Sequence, residues 1–236
     1  MVKYEKIAFS LKNDILNEKY KPNEQLPFEK ELCEKFNASK MTVKKALDIL
    51  VNEGLIVKRR GSGTFVKDLT KEDLLYLSEK KQFLGLTKAE AAHDIKSDLL
   101  DFKIINANKK VASVLKIDED DFVCFINRVR YVDKEPLVIE KTYMPLYIVE
   151  GIKKADALDS VYNFLENKLK LKIQSAHSTV RAEKPNEIDK KYLLLKDDEP
   201  VIEVEKIGYL ENGKVFEYSF SRHRYDRFEF KAVTIR

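Results

Sequence analysis

Two arginines in the middle of the chain have the spacing of an anion-binding pair. Arg128 and Arg130 lie two residues apart in a segment with strand-like alternation, so their side chains should leave the same face of a sheet. Adjacent guanidinium groups repel each other unless an anion lies between them, and phosphate matches their planar donor geometry. Pairing of the two arginines with Glu140 and Glu205 across the sheet is the structural alternative.

The sequence has no recognisable pattern for catalysis or metal binding. Its three histidines are far apart, its two cysteines lack a neighbour at metal-ligand spacing, and no Ser-His-Asp, Cys-His or paired-carboxylate arrangement is evident. The segment Gly61-Ser62-Gly63 lies in a basic turn and not before a helix, so it is not a phosphate-binding loop. We therefore expect no enzyme, no metal site and no cofactor. Catalytic turnover of a candidate sugar phosphate would be the observation that favours an enzyme instead.

Positive charge is concentrated at the front of the chain. The 236 residues carry a net charge of +4, and residues 1–67 hold 14 Lys or Arg against 9 Asp or Glu. The remainder holds 30 against 31 and is almost neutral. The excess therefore lies where a nucleic-acid-binding domain would need it. A basic domain that binds nothing is the alternative interpretation.

The first 67 residues have the element order of a winged helix-turn-helix. Apolar residues at helical spacing predict helices over 4–17, 28–36 and 39–53, with Ser39 as the N-cap of the third. Gly54 should end that helix, and a two-stranded hairpin with a basic turn should follow. The outer face of the third helix could reach phosphates and base edges, or could be an ordinary solvated surface. It carries Lys40, Thr42, Lys44 and Lys45.

The run PFEKELCEKFNASKMTVKKALDILVNEGLIVKRRGSGTFV resembles the DNA-binding domain of the GntR family of bacterial regulators, and the resemblance covers nearly all of residues 4–66. It implies a DNA interface on the second and third helices and the wing. The residues assigned to this interface are Lys30, Ser39, Lys40, Thr42, Lys44, Lys45, Arg60, Gly61 and Gly63.

Two departures from the family pattern bear on DNA recognition. Phe28 stands where the family usually has Ser, which removes a side-chain cap from the second helix. Positions 30, 40 and 44 are Lys where the family usually has Arg. Because lysine lacks the planar fork that pairs with guanine, we expect an AT-leaning operator.

Residues after the basic domain predict a polar linker over 68–78 and an α+β domain over 79–236. Asn212-Gly213 is a strong hairpin signal between two of the predicted strands. The domain should contain a largely antiparallel sheet. Strands are predicted over 101–106, 122–131, 137–143, 173–183, 201–210, 214–223 and 228–235, and helices over 109–115, 160–168 and 185–195.

Three segments of this domain, NRVRYVDKEPLVIEKTYMP, SVYNFLENKLKL and YLENGKVFEYSFSRHRYDRFEF, resemble the UTRA effector domain of the HutC branch of the GntR family. The resemblance implies a fold similar to chorismate lyase and a site for a small anionic effector. Glu217 could instead be a solvated hairpin residue, and His223 could be structural. The effector-binding residues that the resemblance implies are Thr87, Arg128, Arg130, Glu140, Ser160, Glu217 and His223.

Together these patterns predict a DNA-binding transcriptional regulator. We expect a cytoplasmic homodimer without a membrane segment, which binds a palindromic operator and represses a sugar-utilisation operon. A phosphorylated sugar should release it from DNA. A DNA-binding architectural protein that needs no ligand is the rival from another class, and it would show no stabilisation by any small molecule.

Overall fold

The computed structural model of the protein describes residues 2–70 and 93–230, which form two compact units, 2–70 and 93–229. Thr87, most of the predicted linker 68–78 and most of the predicted strand 228–235 lie outside the described residues. No helix within the described ranges is long and apolar enough to cross a membrane.

The first unit contains three helices and a hairpin. The helices are α1 (Lys3–Leu16), α2 (Glu29–Phe36) and α3 (Lys40–Asn52), and the hairpin strands are β1 (Ile56–Arg59) and β2 (Gly63–Val66). The predicted helix bounds agree within about one residue, since each helix buries an apolar stripe and ends at a strong cap or turn. The core includes Ile7, Leu11, Ile15, Leu32, Val43, Leu47 and Leu50.

The second unit is built on a six-stranded antiparallel sheet with the order β3-β4-β5-β8-β7-β6. Its strands are β3 (Ile95–Asn106), β4 (Phe122–Val132), β5 (Glu135–Pro145), β6 (Ile173–Glu183), β7 (Val201–Leu210) and β8 (Val215–Arg224). The prediction that β3 starts at Asp101 is wrong. The strand begins at Ile95, and a bulge between Leu99 and Asp101 interrupts the alternation of its side chains between the two faces of the sheet. The residues before the bulge therefore do not continue the alternating pattern from which the strand was predicted.

Helices cover both faces of this sheet. On one face, α4 (Lys109–Leu115) and α7 (Glu187–Leu193) pack against residues such as Tyr218 and Val129. The other face is covered by α5 (Lys154–Leu158) and α6 (Val161–Asn163). The single helix predicted over 160–168 is instead α6 followed by a π-helical turn, Phe164–Lys168. A π turn lies frequently beside a functional site.

Candidate functional site

An open cleft of about 670 Å³ lies between α2, the start of α3 and the hairpin of the first unit. Five of the residues predicted to bind DNA line it, and they come from three separate elements. The lining is strongly basic, with five Lys or Arg and a single Glu. The predicted residues in the lining are Lys30, Lys40, Arg60, Gly61 and Gly63.

The remaining predicted DNA contacts lie on α3. The hydroxyl oxygens of Ser39 and Thr42 are 2.9 Å apart, and the backbone N–H of Thr42 donates to Ser39 Oγ at 3.3 Å. Lys44 is exposed, and the Lys45 ammonium stands 4.1 Å from the centre of the Tyr4 ring. Ser39 therefore caps the helix while its hydroxyl stays at the surface.

Backbone geometry fixes the tip of the hairpin. Gln25 Nε2 donates to the carbonyl oxygen of Ser62 at 3.0 Å, which ties the tip to the segment before α2. Gly63 has a φ of +120°, and a Cβ on it would lie 2.3 Å from Gln25 Nε2. Only glycine fits this position without a shift of the Gln25 side chain.

The second unit contains a small polar cavity on the α5–α6 face of the sheet. It encloses about 50 Å³. Five predicted effector-binding residues line it together. Cross-strand pairing aligns Arg128 with Glu140, and Glu140 with Ser221, so β4, β5 and β8 present these side chains on one face. The predicted residues in the lining are Arg128, Arg130, Glu140, Ser160 and Glu217.

Glu140 lies between the two arginines. Its Oε2 accepts from Arg128 Nε at 2.7 Å, and it lies 2.7 Å from Arg128 Nη2 and 3.9 Å from Arg130 Nη1. Burial alone would raise the pKa of Glu140, but Arg128 and Arg130 outweigh it and hold that pKa at about 2. Burial lowers the pKa of Arg130, with Glu140 opposing. Arg128 Nη1 also donates to the carbonyl oxygen of Ala157 at the end of α5.

A hydrogen-bonded chain forms the other side of the cavity. Lys206 Nζ donates to the Tyr162 hydroxyl at 2.7 Å and lies 3.2 Å from Glu217 Oε1. The Tyr162 hydroxyl donates to Glu217 Oε2, and Ser219 Oγ donates to Glu217 Oε1 at 2.7 Å. Glu217 is only 4% exposed, so it is not a solvated hairpin residue. Burial would lower the pKa of Lys206, but Glu217 and Tyr162 raise it, so this lysine stays charged.

Sequence reasoning missed several lining residues. The polar alternation of Glu217, Ser219, Ser221 and His223 along β8 could have indicated the two serines. Lys206 and Tyr162 gave no local signal, because they meet only through the sheet topology and the covering helix. The lining residues that the sequence did not indicate are Ile126, Thr142, Val161, Tyr162, Lys206, Ser219 and Ser221.

His223 follows Ser221 on the same face but is not among the residues that line the cavity. Its ring packs against Phe228, with ring centres 4.9 Å apart, and burial lowers its pKa to about 4. Glu205 does not pair with the arginines of β4. It accepts from Arg181 and Tyr218 on the opposite face of the sheet.

No three His, Cys, Asp or Glu side chains among residues 2–70 and 93–230 converge as a metal site requires. Cys33 and Cys124 are free thiols, and burial raises the pKa of Cys124 to about 11.

Comparison with known families assigns both units. Residues 3–66 match the profile described as bacterial regulatory proteins of the gntR family, and residues 90–229 match the UTRA domain. The chain belongs to the GntR family. This GntR regulator is a DNA-binding transcriptional regulator and not an enzyme, and its UTRA domain is the effector-binding part.

Its relatives match over nearly the whole chain. The HTH-type transcriptional regulator GmuR of Bacillus subtilis is 42% identical over 236 residues, which covers all of both chains. The mannosyl-D-glycerate transport/metabolism system repressor MngR of Escherichia coli is 30% identical, over 99% of this chain and 96% of MngR. The crystal structure of the possible transcriptional regulator YydK from Bacillus subtilis has a TM-score of 0.79 at 26% identity, and the match covers all of both chains.

Proposed function

We propose that this GntR regulator represses a sugar-utilisation operon and that a phosphorylated sugar releases it from DNA. The observation that carries the proposal is the charge of the small cavity. Three cations and two carboxylates line it, which is an excess of one positive charge among the lining side chains. Such a site favours an anion that also carries hydroxyl groups.

The two ends of the cavity suit the two parts of a phosphorylated sugar. At the arginine end, a phosphate would replace the Glu140 carboxylate as the partner of Arg128 and Arg130, while the Ser160 hydroxyl could donate a further hydrogen bond. At the other end, the carboxylate of Glu217 and the hydroxyl of Ser219 are suitable partners for sugar hydroxyls.

The size of the cavity supports a coupled movement. A volume of about 50 Å³ is far below the several hundred Å³ of an ordinary ligand pocket, so a sugar must displace part of the wall. The α5–α6 segment forms the wall that covers the cavity, and Arg128 of the sheet holds this segment by donating to the carbonyl oxygen of Ala157 in α5. An anion that competes for Arg128 would therefore loosen the α5–α6 segment.

The DNA complex would contain two copies of the chain. Two chains would place two copies of α3 on the half-sites of a palindromic operator. The basic cleft and α3 would then contact the phosphates and base edges. The names of relatives support repression and a sugar-derived effector, because MngR is a repressor of a mannosyl-D-glycerate system.

Ligand-dependent thermal stability and DNA binding test the proposal on the full-length protein. The panel contains trehalose 6-phosphate, a β-glucoside 6-phosphate, glucosamine 6-phosphate and methylphosphonate, each sugar paired with its unphosphorylated form. We expect one phosphorylated member to raise the unfolding temperature and to weaken binding to DNA upstream of the gene.

Arg130→Gln should abolish both responses. The matched control is Arg181→Gln, which removes an arginine from the opposite face of the same sheet and should leave both responses intact. The proposed effector class is wrong if no phosphorylated compound acts, or if the unphosphorylated sugar acts equally well.

A further inference from the structure

An aromatic side chain lies exposed among the cations of the basic cleft between α2, the start of α3 and the hairpin. Phe28, which precedes α2, is 59% exposed and lines the cleft with Lys30, Lys40 and Arg60. Phe36, at the other end of α2, packs against the core of the unit instead. The fold of residues 2–70 therefore gains little from the Phe28 ring.

The backbone at Phe28 has the geometry of a helix cap that its side chain does not provide. Its φ and ψ are −60° and 154°, against −65° and 154° at Ser39, whose hydroxyl accepts from the backbone of Thr42. A capping box has two hydrogen bonds, one accepted by the side chain of the capping residue and one donated by its backbone N–H. Only the second is present here, because the Phe28 backbone N–H donates to Glu31 Oε2 at 2.6 Å. A serine at position 28 would complete the cap, so phenylalanine there lowers the stability of α2.

We propose that Phe28 makes an apolar contact with duplex DNA beside the phosphate-binding cations of the cleft. The contacted group is an apolar face of a nucleotide, either the methyl group of a thymine or a deoxyribose. This inference rests on the proposed use of the cleft for DNA. The partner is a polyanion because five of the lining side chains are Lys or Arg and one is Glu.

An uncharged contact differs from a phosphate contact in its response to salt. Log affinity falls linearly with log salt concentration, and each lysine that neutralises a phosphate makes this negative slope steeper by about one. Phe28 releases no counterion, so its removal should lower affinity without changing that slope.

The test measures DNA affinity of the full-length protein by fluorescence anisotropy over a range of salt concentrations. Phe28→Ser should weaken binding about fivefold or more at every salt concentration. Its slope should equal that of the wild type, and its unfolding temperature should be equal or higher because the cap is completed. Phe28→Leu, which keeps an apolar side chain, should retain most of the affinity.

Two control variants complete the design. Phe9→Ser makes the same chemical change at a similarly exposed position of α1, 56% exposed, that is not part of the cleft lining, and it should bind as the wild type does. Lys40→Ala should make the negative slope shallower by about one.

The outcomes separate the inference from the proposed function. Phe28→Ser that binds as tightly as the wild type, or loses no more than Phe9→Ser, overturns the inference. Absence of salt-dependent DNA binding by the wild type overturns the proposed DNA interface itself, and the inference with it.

Replacement of the operator thymines by deoxyuridine then identifies the contacted group. If deoxyuridine lowers the DNA affinity of Phe28→Ser less than that of the wild type, Phe28 contacts the thymine methyl group. If it lowers both affinities equally, Phe28 contacts the deoxyribose.

Discussion

Glu140 should contribute strongly to the stability of the second unit, and Glu140→Gln measures that contribution. Its pKa is about 2 in the folded protein against an ordinary 4.5, because Arg128 and Arg130 outweigh the effect of burial. That difference corresponds to about 3 kcal/mol of stabilisation at neutral pH. Glutamine keeps the shape but removes the negative charge that lies between the two buried guanidinium groups.

The sign of the pH dependence follows from the lowered pKa. The stabilisation is complete above the unfolded pKa of about 4.5 and disappears as the pH falls towards 2. Urea denaturation followed by circular dichroism should therefore show Glu140→Gln about 3 kcal/mol less stable than the wild type near neutral pH, and a gap that closes as the pH falls. Glu211→Gln is the control, because its ion pair with Lys172 is exposed and should matter little.

Inorganic phosphate provides a second measurement of the same group. A phosphate ion that replaces the missing carboxylate should stabilise Glu140→Gln more than the wild type. A difference in unfolding free energy below about 1 kcal/mol that does not change with pH, together with an equal response to phosphate, would refute the proposed role of Glu140 as an internal counter-ion.

Two further substitutions test other parts of the structure. Burial lowers the pKa of His223 from 6.5 to about 4, so its charged form is disfavoured in the folded protein and stability should fall as the pH drops from 6.5 to 4. In urea denaturation, the free energy of unfolding of His223→Gln should not fall in this way between pH 6.5 and pH 4. If it falls as much as that of the wild type, His223 is not the group responsible for the pH dependence. Gly63→Ala should lower the unfolding temperature and weaken DNA binding, because its φ is +120° and a Cβ would lie 2.3 Å from Gln25 Nε2. Gly61→Ala has open space around the Cβ and should cost less, about 1 kcal/mol from backbone strain alone; equal effects of the two would show that contact with Gln25 is unimportant.

The first unit could be predicted closely because its signals are local. Ser39 and Asn37 mark the turn before α3, and the apolar stripe from Val43 to Leu50 repeats at the helical period. Each signal lies within a few residues of the element that it defines. The predicted bounds therefore agree with the structure to about one residue.

The small polar cavity of the second unit could be predicted only in part because it depends on long-range pairing. Alternation along one strand predicts that Arg128 and Arg130 share a face of the sheet. Lys206 lies on β7 and Tyr162 lies on α6, 44 residues apart in the sequence. Their hydrogen bond forms only because the sheet places β7 beside β8 and α6 covers this part of the sheet. No local pattern in the chain carries that information.

A conspicuous motif also proved to have a mixed role. In SRHRYDRFEF, Ser221 lines the cavity, whereas Arg222 lies on the opposite face and pairs with Asp189 of α7 at 2.9 Å. Arg224 pairs with Asp226 nearby. Part of this motif therefore stabilises the fold. Sequence similarity alone does not show which residues of a motif stabilise the fold and which bind a ligand.

The most direct test of the account is the DNA dissociation constant of the full-length protein with and without a saturating phosphorylated sugar from the panel. We predict a rise of about tenfold or more for the wild type, and no change for Arg130→Gln. A phosphorylated sugar that demonstrably binds the wild type but leaves its DNA dissociation constant unchanged would contradict the claim that an anion in the arginine cavity weakens DNA binding.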